Sequence, residues 1–142
     1  MIRVVLDTNI IISGWLWSGS PRLILYSARQ KQIQAVISES LLDELRDVLN
    51  RPKFTNRLNL IGKTVEEILA EYLSFSDIVE PSQIIPVIDR DPDDDAVLAC
   101  AIGGNAQYIV TGDDHLLALM QFRSVRIFDA HQFLHLVNTN SL

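Results

Sequence analysis

The sequence predicts a three-layer α/β/α fold, a parallel sheet covered by helices on both faces, in a single domain over residues 1–142. Three observations predict it. Short apolar, β-branched runs alternate along the chain with helical stretches, the pattern of parallel strands joined by crossover helices. The clearest runs stop at or just before an aspartate or serine suited to cap a helix. The 142 residues suit one domain of about 100–200, and no repeat, linker or low-complexity segment divides them.

Residues 2–6 read as a buried strand that ends at Asp7-Thr8-Asn9 and hands over to a helix. A loop at 18–20 follows, and Ser20-Pro21 sets a capping hydroxyl before a proline at the first position of a helix over 21–31. Residues 33–37 form a second strand. Ser38 then opens a helix that Pro52 stops, with Leu41, Leu42, Leu45, Val48 and Leu49 on one stripe. A helical piece over 53–60 is broken by Gly62, and Thr64-Val-Glu-Glu67 is a capping box ahead of a helix reaching Phe75. Together these helices make a helical arm over residues 38–75. Two extended pieces over 77–86, broken by Pro81 and Pro86, lead through Val87-Ile88 into the acidic loop Asp89-Arg-Asp-Pro-Asp-Asp-Asp95. Residues 96–102 are apolar all round and read as a buried helix ended by Gly103-Gly104. A strand over 108–110 stops at Thr111-Gly112-Asp113, a helix spans 114–120, a strand spans 125–128, and Asp129 caps the last helix.

Composition narrows the function classes. With 12 Lys+Arg against 18 Asp+Glu the net charge is −6, which excludes tight nucleic-acid binding by bulk electrostatics but not a local site. An apolar content of 48% with 6 Gly and 5 Pro contradicts disorder and collagen-like chains. The single cysteine, Cys100, sits in an apolar run and cannot form an internal disulfide, so the reducing cytoplasm is the expected compartment. Asp7 and Asn9 interrupt the apolar N-terminal stretch, which therefore reads as folded structure rather than a signal peptide. No run approaches the ~18 apolar residues of a membrane span.

In an open parallel sheet, ligands bind outside the carboxyl ends of the strands, and the acids lie there. Asp7 follows the first strand, Asp113 and Asp114 follow the strand over 108–110, and Asp93, Asp94 and Asp95 open the buried helix. Taken singly, each acid is also an ordinary helix cap or a partner of the helix dipole. Glu44 is set apart by phase. At ~100° per residue from Leu41 the apolar stripe centres near ~40°, Glu44 falls at ~300° on its border, and Asp43 and Asp47 at ~200° and ~240° face away. Four carboxylates gathered in one place repel one another unless a cation is present. An all-oxygen cluster suits Mg²⁺ or Mn²⁺, hard ions that take phosphate oxygens as further ligands.

Val-Val-Leu-Asp7-Thr8-Asn9, Ser40-Leu-Leu-Asp-Glu44-Leu, Asp93-Asp-Asp95-Ala-Val-Leu-Ala and Val110-Thr-Gly-Asp113 resemble, in order and spacing, the acidic motifs of PIN-domain nucleases. The chain is similar to stand-alone prokaryotic PIN proteins of the toxin–antitoxin type, the VapC-like ribonucleases. The resemblance implies a parallel sheet of about five strands, Mg²⁺ or Mn²⁺ dependence, an RNA substrate, a homodimer and an antitoxin partner. It implies Asp7, Glu44, Asp95 and Asp113 as catalytic and metal-holding acids, with Asp94 the alternative to Asp95 and Asp113 preferred to Asp114. Thr8, Asn9 and Thr111 are supporting residues. His115 stands where related sequences often carry another acid.

The chemistry so implied is hydrolysis of phosphodiester bonds by a metal-activated water. Arg46, Arg51, Lys53 and Arg57 are candidates to follow the RNA backbone, or else a solvated helical face. Other classes fit less well. A phosphoaspartate receiver needs a late lysine, and none follows Lys63; a haloacid dehalogenase-like phosphatase wants an acid where Asn9 stands. His131 and His135 lack the glutamate of a zinc-protease helix. Trp15 and Trp17 suit an interior or dimer role, with base stacking as the alternative. The competitor from another class is a catalytically silent PIN-like module that binds RNA or protein.

Overall fold

Val4 and Val5 are fully buried in β1 (Arg3–Leu6), as are Ile109 and Val110 in β4 (Tyr108–Val110), and these two strands pair in parallel at the centre of a single sheet. Continuous apolar runs of this kind are stable only where helices cover both faces. The computed structural model describes residues 1–84 and 92–142. Four more strands complete the sheet: β2 (Gln34–Ile37), β3 (Ser76–Ile78), β5 (Gln121–Phe122) and β6 (Val125–Phe128). Their order is β3-β2-β1-β4-β6-β5. The expected five-stranded parallel sheet is present as β3, β2, β1, β4 and β6, and β5 adds an antiparallel edge to β6.

The helices are α1 (Thr8–Leu16), α2 (Ser20–Arg29), α3 (Glu39–Leu49), α4 (Thr55–Ile61), α5 (Val65–Ser74), α6 (Pro92–Gly103), α7 (Asp114–Leu119) and α8 (Ala130–Asn138), with a 3₁₀ turn at Pro52–Phe54. Local chemistry sets their ends. Ser38 accepts from the Leu41 amide, Thr64 and Glu67 form the expected capping box, and Gly62 closes α4 at φ 71°. Two boundaries differ from expectation around α2. Ser20 does not cap the helix but begins it, after Gly19 at φ 128°, and the helix stops at Arg29 because Lys31 turns into the left-handed region at φ 62°.

Helices α3 to α5 fill the insertion between β2 and β3 where the arm was expected, and their inward residues Leu45, Phe54, Leu58, Ile68 and Tyr72 join the same core as the sheet. Of the two extended pieces expected over 77–86, the described residues hold one strand, β3; after Val79, whose amide still donates to the Ile37 carbonyl at 2.9 Å, the chain passes over α6, with the Ser82 amide donating to the Ala99 carbonyl at 3.0 Å. The Gly103 backbone makes this approach possible, because a Cβ there would overlap the Glu80 carbonyl oxygen. Val87-Ile88 and the start of the acidic loop lie outside the described residues. No helix among the described residues is long and apolar enough to cross a membrane.

The chain starts at the sheet's centre, steps outward through β2 and β3, then returns to β4 and continues the other way to β6. Connections therefore leave β1 and β4 in opposite directions, which opens a crevice between their carboxyl ends.

Candidate active site at the switch point of the sheet

Asp7 is the residue at which β1 becomes α1. Its amide continues the sheet by donating to the Val110 carbonyl at 2.9 Å, while its Oδ1 accepts from the Thr8 amide at 2.8 Å as the helix cap. The other oxygen, Oδ2, accepts the Thr111 hydroxyl at 2.7 Å. Thr111 is fully buried one residue past β4, and its hydroxyl also accepts from the Asp113 amide at 3.0 Å. Asp113 caps α7, its Oδ1 taking the His115 and Leu116 amides at 2.7 and 3.2 Å. One hydroxyl thus ties the two acids of the crevice to one another.

Glu44 enters from α3. Its neighbours Asp43 and Asp47 are exposed while it is half-buried, as the helical phase predicts. The Thr8 hydroxyl donates to Glu44 Oε2 at 2.7 Å, joining α3 to the first turn of α1. Burial pushes the Glu44 carboxyl above its ordinary pKa; the Thr8 hydrogen bond opposes this, and the charges of Asp93 and Asp7 add to the rise. Asp93 and Asp94 arrive from the first turn of α6, and Asp94 is only 4% exposed.

These residues enclose a cleft of about 250 Å³ lined by five carboxylates, Asp7, Glu44, Asp93, Asp94 and Asp113, with Thr8, Asn9, Arg51, Lys53, Val48 and Phe54 around them. Of the acids expected from sequence, Asp7, Glu44 and Asp113 meet here. Asp95 does not line the cleft, and Asp94 does, since one step along a helix turns a side chain by ~100°. Asp114 opens α7 and is exposed outside the cleft. Asp93, grouped from the sequence with the acids at the strand ends though not chosen among the four, also lines the cleft, and one ring nitrogen of His115 lies with oxygens of Asp94 and Asp113 inside a 4.8 Å group. The usable signal for His115 was its place two residues after a capping aspartate, in the same helical first turn.

The basic residues divide. Arg51 and Lys53 line the cleft, whereas Arg46 is held by Glu66 at 3.2 Å and Asp43 at 3.4 Å, and Arg57 donates to the Leu16 carbonyl at 2.6 Å. A larger cavity, about 730 Å³, opens beside Trp15, Arg22, Arg29, Lys31 and Lys63. Its one acid, Glu71, is already bound by Lys63 and by the Trp15 indole, so the carboxylate chemistry belongs to the smaller cleft.

Residues 3–115 match the family model of the PIN domain. The chain belongs to the PIN domain family. The fold of this PIN domain is also similar to a chain in the crystal structure of VapBC2 from Rickettsia felis bound to a DNA fragment from their promoter. That likeness has a TM-score of 0.56 at 20% sequence identity and covers 89% of this chain and 97% of that one. No curated protein matches the chain. The PIN domain therefore supplies the architecture, and the acids at its switch point supply the candidate chemistry.

Proposed function

We propose that this PIN domain is a Mg²⁺- or Mn²⁺-dependent endoribonuclease that hydrolyses phosphodiester bonds in RNA, and that it is the toxin component of a toxin–antitoxin pair. The observation that carries this reading is the convergence of five carboxylates from β1, α3, α6 and α7 on one cleft that also holds Arg51 and Lys53. The donor set fits a hard divalent ion: carboxylate oxygens predominate, and Asp94, Asp113 and His115 can each offer one atom within 4.8 Å of the others. Asp7 and Glu44, which line the same cleft, complete an oxygen-rich set. An ion bound there would supply a water of lowered pKa and neutralise charge developing on the phosphate oxygens.

The chain's own residues do the rest. Thr111 fixes the carboxylate of Asp7, and Thr8 fixes that of Glu44, so neither has to reorganise when substrate arrives. Glu44, so held beside Asp7 in the cleft, would hold and orient the ion and its water rather than react itself. Arg51 and Lys53, which line the cleft, would meet phosphates flanking the scissile bond, and Asn9 and Asp93 are exposed members of the same lining. Of the alternatives Asp94 and Asp95, Asp94 is the acid proposed to hold the ion, because it lines the cleft. The likeness in fold to a chain of the VapBC2 complex supports a cognate antitoxin protein as partner; the homodimer is proposed on the family resemblance alone. The buried free thiol of Cys100 suits a cytoplasmic protein.

The test is cleavage of single-stranded RNA by the purified protein with and without Mn²⁺, beside Asp7→Asn. Metal-dependent cutting that Asp7→Asn abolishes, with the far-ultraviolet dichroism unchanged, is the expected result. A wild type that binds RNA and never cuts it, whatever the metal, would instead make this a silent binding module.

A further inference from the structure

Trp17 is 43% exposed, yet it is held in place on two sides. Its ring centroid lies 6.3 Å from that of Phe54 at an interplanar angle of 63°, and the Arg57 guanidinium carbon lies 5.4 Å from its centroid. Arg57 is itself tethered, since its Nε donates to the Leu16 carbonyl at 2.6 Å. Phe54 lines the acidic cleft and carries the Lys53 ammonium 5.1 Å from its own centroid. The exposed indole therefore stands one aromatic ring away from the cleft, with Arg57 over its ring and Lys53 over the ring of Phe54.

A cleft of carboxylates repels the phosphates of a strand everywhere except at a bound cation, so a strand threading it needs attraction on the way out. Lys53 and Arg57 provide positive charge along that exit, and Trp17 provides a flat apolar surface. Proteins that bind single strands combine these two features, because any base can stack on an aromatic ring while its phosphates meet cations. Packing against Phe54 and Arg57 immobilises the indole in advance, so little freedom is lost on stacking. We infer that Trp17 is a stacking platform for an unpaired nucleobase of the strand that enters the cleft. The inference rests on the ribonuclease reading above and names a residue that would contact its substrate.

Two measurements test it. In Asp7→Asn, which binds without cutting, single-stranded RNA should quench tryptophan fluorescence more than the same strand annealed to its complement. Since the chain has 2 Trp, a Trp17→Phe change on that background assigns the quench: it should vanish while labelled RNA still binds. In the cleaving protein, Trp17→Ala should raise KM by roughly 5- to 150-fold with kcat little changed, and Trp17→Phe should recover most of the loss. Cleavage indifferent to Trp17→Ala, or equal on single-stranded and duplex RNA, overturns the platform and leaves the nuclease standing. Failure of the wild type to bind or cut any RNA removes both.

Discussion

The Thr111 hydroxyl donates to Asp7 Oδ2 at 2.7 Å and accepts from the Asp113 amide at 3.0 Å, so one buried side chain joins the ends of β1 and β4. Replacing it by valine keeps the shape and removes both bonds. Thr111→Val should therefore cost about 1–3 kcal/mol, read as a lower urea midpoint at unchanged slope, while Thr111→Ser keeps most of the stability. Equal midpoints for valine and wild type would remove the bridge from the account.

Glu44 yields a pH prediction whose sign is fixed by its raised pKa. Between the ordinary carboxylate pKa and the raised one, the folded state holds more protons than the unfolded state, so stability falls as pH rises through that interval. Glu44→Gln is neutral throughout and escapes the penalty. In metal-free protein, the melting temperature of Glu44→Gln relative to wild type should be more favourable at about pH 7.5 than at about pH 4. The change should stay within a few degrees, since ~1 kcal/mol moves Tm by roughly 2–4 °C at this chain size. A difference that is flat with pH would contradict the burial of this carboxyl.

Ion binding should raise stability by relieving repulsion among the cleft acids. At about a hundredfold excess over its Kd, Mn²⁺ is expected to add ~2.7 kcal/mol, with the gain reversed by a chelator. Thermal scans at a series of Mn²⁺ concentrations measure it, and a midpoint that ignores the ion argues against a metal centre here.

Asp94 and Asp95 are adjacent in sequence and differ in place. Asp94→Asn should weaken Mn²⁺ binding, measured by calorimetry, by about tenfold to a hundredfold or more, because it removes a cleft oxygen. Asp95→Asn should leave binding within about twofold. The reverse ranking would return the role to Asp95.

Gly103 and Gly112 form a matched pair of stability tests of steric room. A Cβ at Gly103 would overlap the Glu80 carbonyl, so Gly103→Ala should destabilise by roughly 1–3 kcal/mol or more, whereas Gly112 has open space and should tolerate alanine within about 0.5 kcal/mol. Denaturant midpoints for the two variants decide it.

Much of this was legible in the residues alone, and the reason is that it is local. The strands over 108–110 and 125–128, the caps Ser38, Thr64, Asp113 and Asp129, and the inward phase of Glu44 follow from side-chain periodicity and from orphan amides seeking acceptors. The two-residue strand β5 shows no period long enough to read. What only the tertiary structure decided depends on contacts between distant segments. Residues 96–102 are apolar all round, so their pattern carries no phase to separate Asp94 from Asp95; the packing of α6 against β1, β2 and β4 is what turns Asp94 into the cleft. Arg46 is engaged by Glu66, 20 residues away, and Arg57 is fixed over Trp17 by the Leu16 carbonyl, 41 residues away, contacts that no local pattern announces. A linear pattern states which faces are apolar; which acids share a cleft is settled by the order in which the strands assemble.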